Sequence, residues 1–153
     1  MRYWIFKANA DRYRLSDRLL DPEPCISWRV SRHGDEIGPG DTVFVWRSGA
    51  ARGVCATLRI DTPVAAREEL EHERPYWLSE WSPAPEPRVL ATITSRFPCL
   101  PSDAIKAVPG LSQMSVFTGF KQATNFPVSD SEAALLLNLI LRWLQPSYRS
   151  SSN

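Results

Sequence analysis

Ile37-Gly38-Pro39-Gly40-Asp41-Thr42-Val43-Phe44-Val45-Trp46-Arg47-Ser48-Gly49 is the stretch on which the fold turns. Glycine and proline at its start mark a turn, and Asp41 leads into an apolar run. Thr42–Trp46 is β-branched and aromatic, a composition that suits a pleated, half-buried surface. Arg47–Gly53 connects it to a second such run, Val54–Ile60, so the two read as a β-hairpin with a long loop. Upstream, Tyr3-Trp4-Ile5-Phe6 reads as a buried first strand. Asp11 is the expected N-cap of a short helix through Leu19 and Leu20, stopped by Pro22 and Pro24. Ser27-Trp28-Arg29-Val30 reads as a brief extended segment or turn.

Downstream, Ala65 to Pro87 is irregular. It is acidic at Glu68, Glu69, Glu71 and Glu73, aromatic at Tyr76, Trp77 and Trp81, and closes with Pro83, Pro85 and Pro87. It reads as a surface insertion, helical at its start and loop at its end. The acidic run is then a solvated helix face and the aromatics pack the insertion. Arg88–Thr94 is another strand, Pro98 and Pro101 mark a turn, and Ser102–Lys106 is a short helix ended by Pro109-Gly110. Ser115–Phe117 reads as a short strand or turn, and Gly119–Val128 has no helical or strand period. Ser129 and Glu132 have capping-box spacing ahead of a helix through Ala133–Leu144, ended by Pro146. Strands outnumber helices without βαβ alternation. The class implied is α+β, a small mixed β-barrel flanked by short helices. One domain is expected over residues 1–146, with a flexible tail over 147–153.

The composition excludes several classes. With 153 residues, 43% apolar and 23% charged, the chain is globular. No apolar run reaches the roughly 18–20 residues of a membrane helix, and no leader peptide is expected. Three widely spaced cysteines, Cys25, Cys55 and Cys99, form no metal-ligand pattern and fit reduced thiols in the cytoplasm. A net charge of +1 is not that of a protein gripping a duplex by its phosphates. No nucleophile elbow, P-loop or dinucleotide motif is present, so neither an enzyme nor a cofactor is expected.

Five blocks then carry a resemblance: Tyr3-Trp4-Ile5-Phe6-Lys7-Ala8-Asn9, Trp28-Arg29-Val30, Gly40-Asp41 through Ser48-Gly49, Gly53-Val54, and Gln122-Ala123-Thr124-Asn125-Phe126-Pro127-Val128. In this order they resemble the EVE domain. The resemblance implies a PUA-like β-barrel related to the YTH domain. It implies a reader that holds a flipped or unpaired base, modified cytosine above all, in DNA or RNA. Some members are attached to restriction or defence modules, which the resemblance implies as partners. A monomer is expected. Ala65–Pro87 and Ala123 depart from the family pattern.

On this reading Trp28 and Trp46 are the aromatic walls, each face of a base stacking on an indole for about 1–3 kcal/mol. On residues alone, both also fit an interior tryptophan. Lys7 and Asn9, just past the first strand, approach the base, and Asn9 has a donor and an acceptor for its edge. Ser27, Ser48, Gln122, Thr124 and Asn125 supply further hydrogen bonds. Arg29, Arg32, Arg47 and Arg52 neutralise flanking phosphates. Two other readings stay open: a sensor of a free nucleoside-like molecule, and a protein-interaction adaptor docking through Ala65–Pro87.

Overall fold

In a computed structural model of the chain, which describes residues 1–78, 82, 84–119 and 122–145, the turn before Thr42 organises the first half of the molecule. Gly40 adopts φ +90°, a conformation that costs a side-chain-bearing residue and that glycine takes freely. The turn delivers Asp41 to a buried position. Its carboxylate accepts from the backbone N–H of Arg2 (2.9 Å) and Gly38 (3.0 Å) and from the Trp4 indole N–H (2.9 Å). These bonds pin the start of strand β1 (Tyr3–Ala8) beside strand β3 (Thr42–Arg47). The two run parallel, Tyr3 opposite Thr42 and Ala8 opposite Arg47.

The expected hairpin forms between β3 and β4 (Gly53–Ile60). The remaining strands are β2 (Cys25–Arg29), β5 (Ala65–Arg67), β6 (Glu86–Pro101) and β7 (Asn125–Val128). The seven form one sheet in the order β2-β6-β4-β3-β1-β7, with β5 added on β6. Apart from β1 and β3, the described pairs are antiparallel. Helix α1 (Leu15–Leu20) lies between β1 and β2, α2 (Ser102–Lys106) and α3 (Ser115–Thr118) follow β6, and α4 (Asp130–Trp143) closes the chain. Ser129 and Glu132 form the anticipated capping box, with bonds of 3.1 and 2.9 Å.

The sheet is curled but does not close into a barrel. Its end strands β2 and β7 share no ladder, and a side chain spans the gap: Ser31 donates its backbone N–H to Asn125 Oδ1 at 3.0 Å. Other expectations also shift. β6 runs through Pro98 to Pro101 instead of turning there. Its register against β4 slips between Val54 and Ala56, so Pro98 falls in a bulge where no ladder N–H is needed. β7 forms despite Pro127, which is tolerated on an edge strand. Ser115–Thr118 is a helical turn. α1 begins at Leu15 rather than near Asp11, because Asn9 first organises its own turn, accepting from the N–H groups of Arg12 and Tyr13. Trp81, Pro83, Pro146 and the tail 147–153 lie outside the described residues.

Two apolar clusters occupy the two sides of the sheet. Trp4, Phe6, Val43, Val45, Trp28 and Leu58 belong to the concave side. Ile5, Phe44, Trp46, Leu100 and the buried face of α4, including Leu136 and Leu139, belong to the other. Strand alternation makes this division: along β3, successive side chains enter opposite clusters. None of the described helices is long and apolar enough to cross a membrane.

Candidate functional site

A cavity of about 700 Å³ opens at one end of the concave side, within the roughly 300–1,000 Å³ of small-ligand sites. β1 brings Lys7 to it, and the turn after β1 brings Asn9. β2 contributes Ser27, Trp28 and Arg29, the β3–β4 loop Ser48, and the approach to β7 Gln122 and Thr124. Sequence segments more than a hundred residues apart, from Lys7 to Thr124, therefore converge.

Trp28 packs on Phe6, ring centroids 5.8 Å apart, and lines the cavity. Its predicted partner does not. Trp46 lies across the sheet, 4% exposed, with its ring edge-on to Phe117 at 5.5 Å. Val43 and Val45 take the concave side of β3, which leaves Phe44 and Trp46 for the side that α4 covers. The second cavity tryptophan is Trp77, from the segment read as a packed insertion. It both packs, 4.9 Å from the Tyr13 ring, and lines the cavity.

The segment is not a solvated face either. Residues Glu71–Tyr76 form a 3₁₀ turn, and Glu69 and Glu73 are buried among cavity-lining residues. Glu69 accepts from Ser27 Oγ, from the Leu70 N–H (2.8 Å), from Trp77 Nε1 (3.1 Å) and from Arg88 Nη1 (3.2 Å). Glu73 accepts from the Tyr13 hydroxyl and from Arg18 Nε (2.5 Å). Arg18, fully buried, donates onward to the carbonyls of Glu23 (3.0 Å) and Cys25 (2.8 Å). Buried charges persist only when paired and hydrogen-bonded in this way. Burial pushes the Glu73 carboxyl above its usual range, against the pull of the Tyr13 and Arg18 bonds. Burial also works against the Arg18 charge, but the Glu73 bond and charge outweigh it and hold the guanidinium cationic. Burial, followed by Glu73, raises the Tyr13 phenol.

Other predicted residues divide. The Asn9 side-chain oxygen accepts from the Asp11 N–H at 2.9 Å, so Asn9 serves its turn as well as the cavity wall. Burial lowers the Lys7 amine, which lies 5.8 Å from the Phe126 ring. Ser48 Oγ donates to the Ala8 carbonyl at 2.8 Å and fixes the loop against β1. Asn125 is 1% exposed and does not line the cavity; its oxygen bridges the sheet edges. Of the four arginines only Arg29 is at the cavity, bonded to Glu86 at 3.2 Å. Arg32 is outside it, and Arg47 and Arg52 line a different recess. Sequence reasoning missed Trp77, Glu69 and Arg88. The signal was present as carboxylates and tryptophans crowded into one short segment, but only the tertiary contacts of β2 and β6 turn that segment inward.

The open mixed sheet with flanking short helices is a PUA-like α+β fold. The EVE domain family model matches residues 2–139, and the chain belongs to that family. Solved structures agree on the fold. A hypothetical protein from Leishmania major is 21% identical, with a TM-score of 0.68 over 95% of this chain and 98% of that one. A Pseudomonas putida protein is 22% identical, with a TM-score of 0.64 over 90% and 98%. Human THYN1, in complex with DNA containing 5-methylcytosine, is 16% identical, with a TM-score of 0.63 over 91% and 97%. No curated protein matches the chain.

Proposed function

We propose that the cavity between β1, β2 and the Ala65–Pro87 segment holds one flipped or unpaired nucleobase, a modified cytosine above all, and binds without transforming it. The observation that carries this reading is the cavity itself: Trp28 and Trp77 line a space of about 700 Å³ whose inner wall is polar. Indoles supply stacking surface that accepts any base, at about 1–3 kcal/mol per base. Lys7, Asn9, Gln122 and Thr124 sit where a base edge or sugar would meet hydrogen-bonding groups. Arg29 at the cavity replaces the four-arginine phosphate clamp. Family membership and the THYN1 complex with 5-methylcytosine DNA support the ligand class.

Binding rather than catalysis is favoured by the state of the two carboxylates. Glu69 and Glu73 are committed to four and two donors respectively, which suits rigid walls better than proton transfer. The adaptor reading loses its separable surface, because deleting Ala65–Pro87 would remove Glu69, Glu73 and Trp77 from the cavity. DNA or RNA as carrier, a monomeric cytoplasmic protein, and coupling to restriction or defence modules are part of the proposal. Three widely spaced cysteines without a disulfide-framework pattern support the reducing compartment.

The test is binding of the purified chain to single-stranded and duplex oligonucleotides bearing cytosine or 5-methylcytosine. Trp28→Ala is expected to weaken binding by about 1–3 kcal/mol, measured at a temperature where circular dichroism shows the variant folded, since the indole also packs on Phe6. Equal binding by parent and variant would falsify the assignment. Tight, salt-independent binding of a free nucleoside would move the reading to the small-molecule sensor, since phosphate contacts make affinity fall with salt.

A further inference from the structure

The second recess lies at the β3–β4 loop, whose Ser48 lines the base cavity while Arg47 and Ala50–Arg52 line the recess. It encloses about 330 Å³, and its polar lining is Arg47, Arg52, Lys106, Asp103, Ser102 and Cys99. Three cations and one carboxylate thus share a small pocket with a thiol, which leaves the recess net positive. A second thiol stands next to it. Between the pairs Val54–Leu100 and Ala56–Arg96, β4 contributes the single residue Cys55. β6 spends Phe97, Pro98 and Cys99 over the same interval, so the bulge gathers Cys55 and Cys99 at one point. Both sulfurs converge on Gly53. A Cβ built there would stand 3.0 Å from Cys99 Sγ, and Cys55 Sγ lies 3.9 Å from the Gly53 carbonyl oxygen. Cys99 lines the recess, while Cys55 is buried behind it.

We propose that Cys99 and Cys55 form a redox-active dithiol, in which Cys99 reacts with a small hydroperoxide entering the cationic recess and Cys55 resolves the product as an intramolecular disulfide. The Cys99 thiolate attacks one peroxide oxygen. An S–O bond forms, the O–O bond breaks, and the departing alkoxide or hydroxide takes a proton from water. Cys55 then attacks the sulfur of the Cys99 sulfenic acid. The S–S bond forms, and hydroxide leaves with the Cys55 proton as water. Two thiols are oxidised and one hydroperoxide is reduced to its alcohol, or to water.

The electrostatics fit these roles. The Cys55 thiol and the Arg47 guanidinium lower the Cys99 thiol below its usual range, against burial; as the neutral thiol Cys99 donates to the Ala51 carbonyl at 3.7 Å. Cys55 keeps its proton, held by the Cys99 sulfur and by burial. Cys25, raised chiefly by burial, is an internal control. A thiol whose ionisation is eased by neighbouring cations is the reactive kind, and in a reducing compartment disulfides of this type are transient and sensing.

The test uses the intact chain. It is treated with hydrogen peroxide, capped with iodoacetamide and mapped by mass spectrometry. The expected result is a Cys55–Cys99 linked peptide short of two hydrogens, with Cys25 capped. Without peroxide, alkylation of Cys99 is expected to have a lower pH midpoint than that of Cys25 and to run about tenfold or more faster at neutral pH. Cys55→Ser is expected to stop at the sulfenic acid, trapped on Cys99 by dimedone. Absence of the linked peptide, or oxidation of Cys25 ahead of Cys99, overturns the proposal. The wild-type map decides this even if Cys55→Ser does not fold.

Discussion

The two sides of the sheet carry a tryptophan each near a strand end, and the two indoles are almost equally buried: Trp28 is 8% exposed and Trp46 4%. Both pack in an apolar cluster, but only Trp28 also lines a cavity. Trp46 is covered by Phe117 and by the α4 side of the fold, where buried neighbours are apolar. Trp28 stands beside Ser27, Glu69 and Arg88, a buried polar array with nearly every hydrogen bond made. Where a helix covers a sheet, shape complementarity among apolar groups suffices. Where a cavity must stay open, walls have to be held by bonds that do not depend on filling the space. Burial alone therefore does not separate a core tryptophan from one that lines a cavity; the hydrogen-bonding company does.

Several experiments would break or sharpen this contrast. Arg18→Ala leaves the Glu73 carboxylate buried without its cationic partner and is expected to cost about 3–5 kcal/mol in denaturant unfolding. A loss below about 1 kcal/mol would show that the cavity-side charges are less tightly locked than the geometry implies. Trp46→Ala is expected to cost a comparable 3–5 kcal/mol of stability by opening a hole in the apolar side. Trp46→Phe should leave oligonucleotide affinity within about twofold of the parent, because the side chain never reaches the cavity. If Trp46→Phe impairs binding as strongly as Trp28→Ala, the division of the two faces is wrong.

Smaller effects test the frame around the contrast. Ser129→Ala removes the side-chain acceptor of the α4 cap and is expected to cost about 1 kcal/mol by thermal or chemical unfolding, with affinity unchanged. The Asp21 carboxyl is held below its ordinary range, first by the Tyr76 hydroxyl and then by the Glu23 N–H. A carboxylate depressed by folding contributes stability above its unfolded pKa and loses it as pH falls through the folded value. Tyr76→Phe should return the Asp21 titration toward the usual range, read by NMR of the carboxyl carbon.

Much of the fold was legible. Gly38-Pro39-Gly40-Asp41 announces its turn, Thr42–Trp46 and Val54–Ile60 their hairpin, and Ser129 with Glu132 the closing helix, since each signal is local and each residue type has few ways to satisfy its backbone. Most of the cavity's rim was legible through the family blocks: Lys7, Asn9, Trp28, Ser48, Gln122 and Thr124 meet there. The Ala65–Pro87 segment was misread because acidic residues ordinarily face water. Glu69 and Glu73 are drawn inside by donors at Tyr13, Arg18, Ser27 and Arg88, far away in the chain, and no local pattern records that.

The amino-acid sequence by itself determined β1, the β3–β4 hairpin and the closing helix, because turn, cap and β-branched signals act over a few residues, but not β5, β7 or the helical turn Ser115–Thr118. It also determined that the chain is an EVE domain. Only the tertiary structure decided which side of each strand faces the cavity. A strand offers two equivalent faces at period two, and the choice between them belongs to the partners packed on either side. That is why Trp77 took the place expected of Trp46, and why Cys55 and Cys99, forty-four positions apart, came to share one bulge.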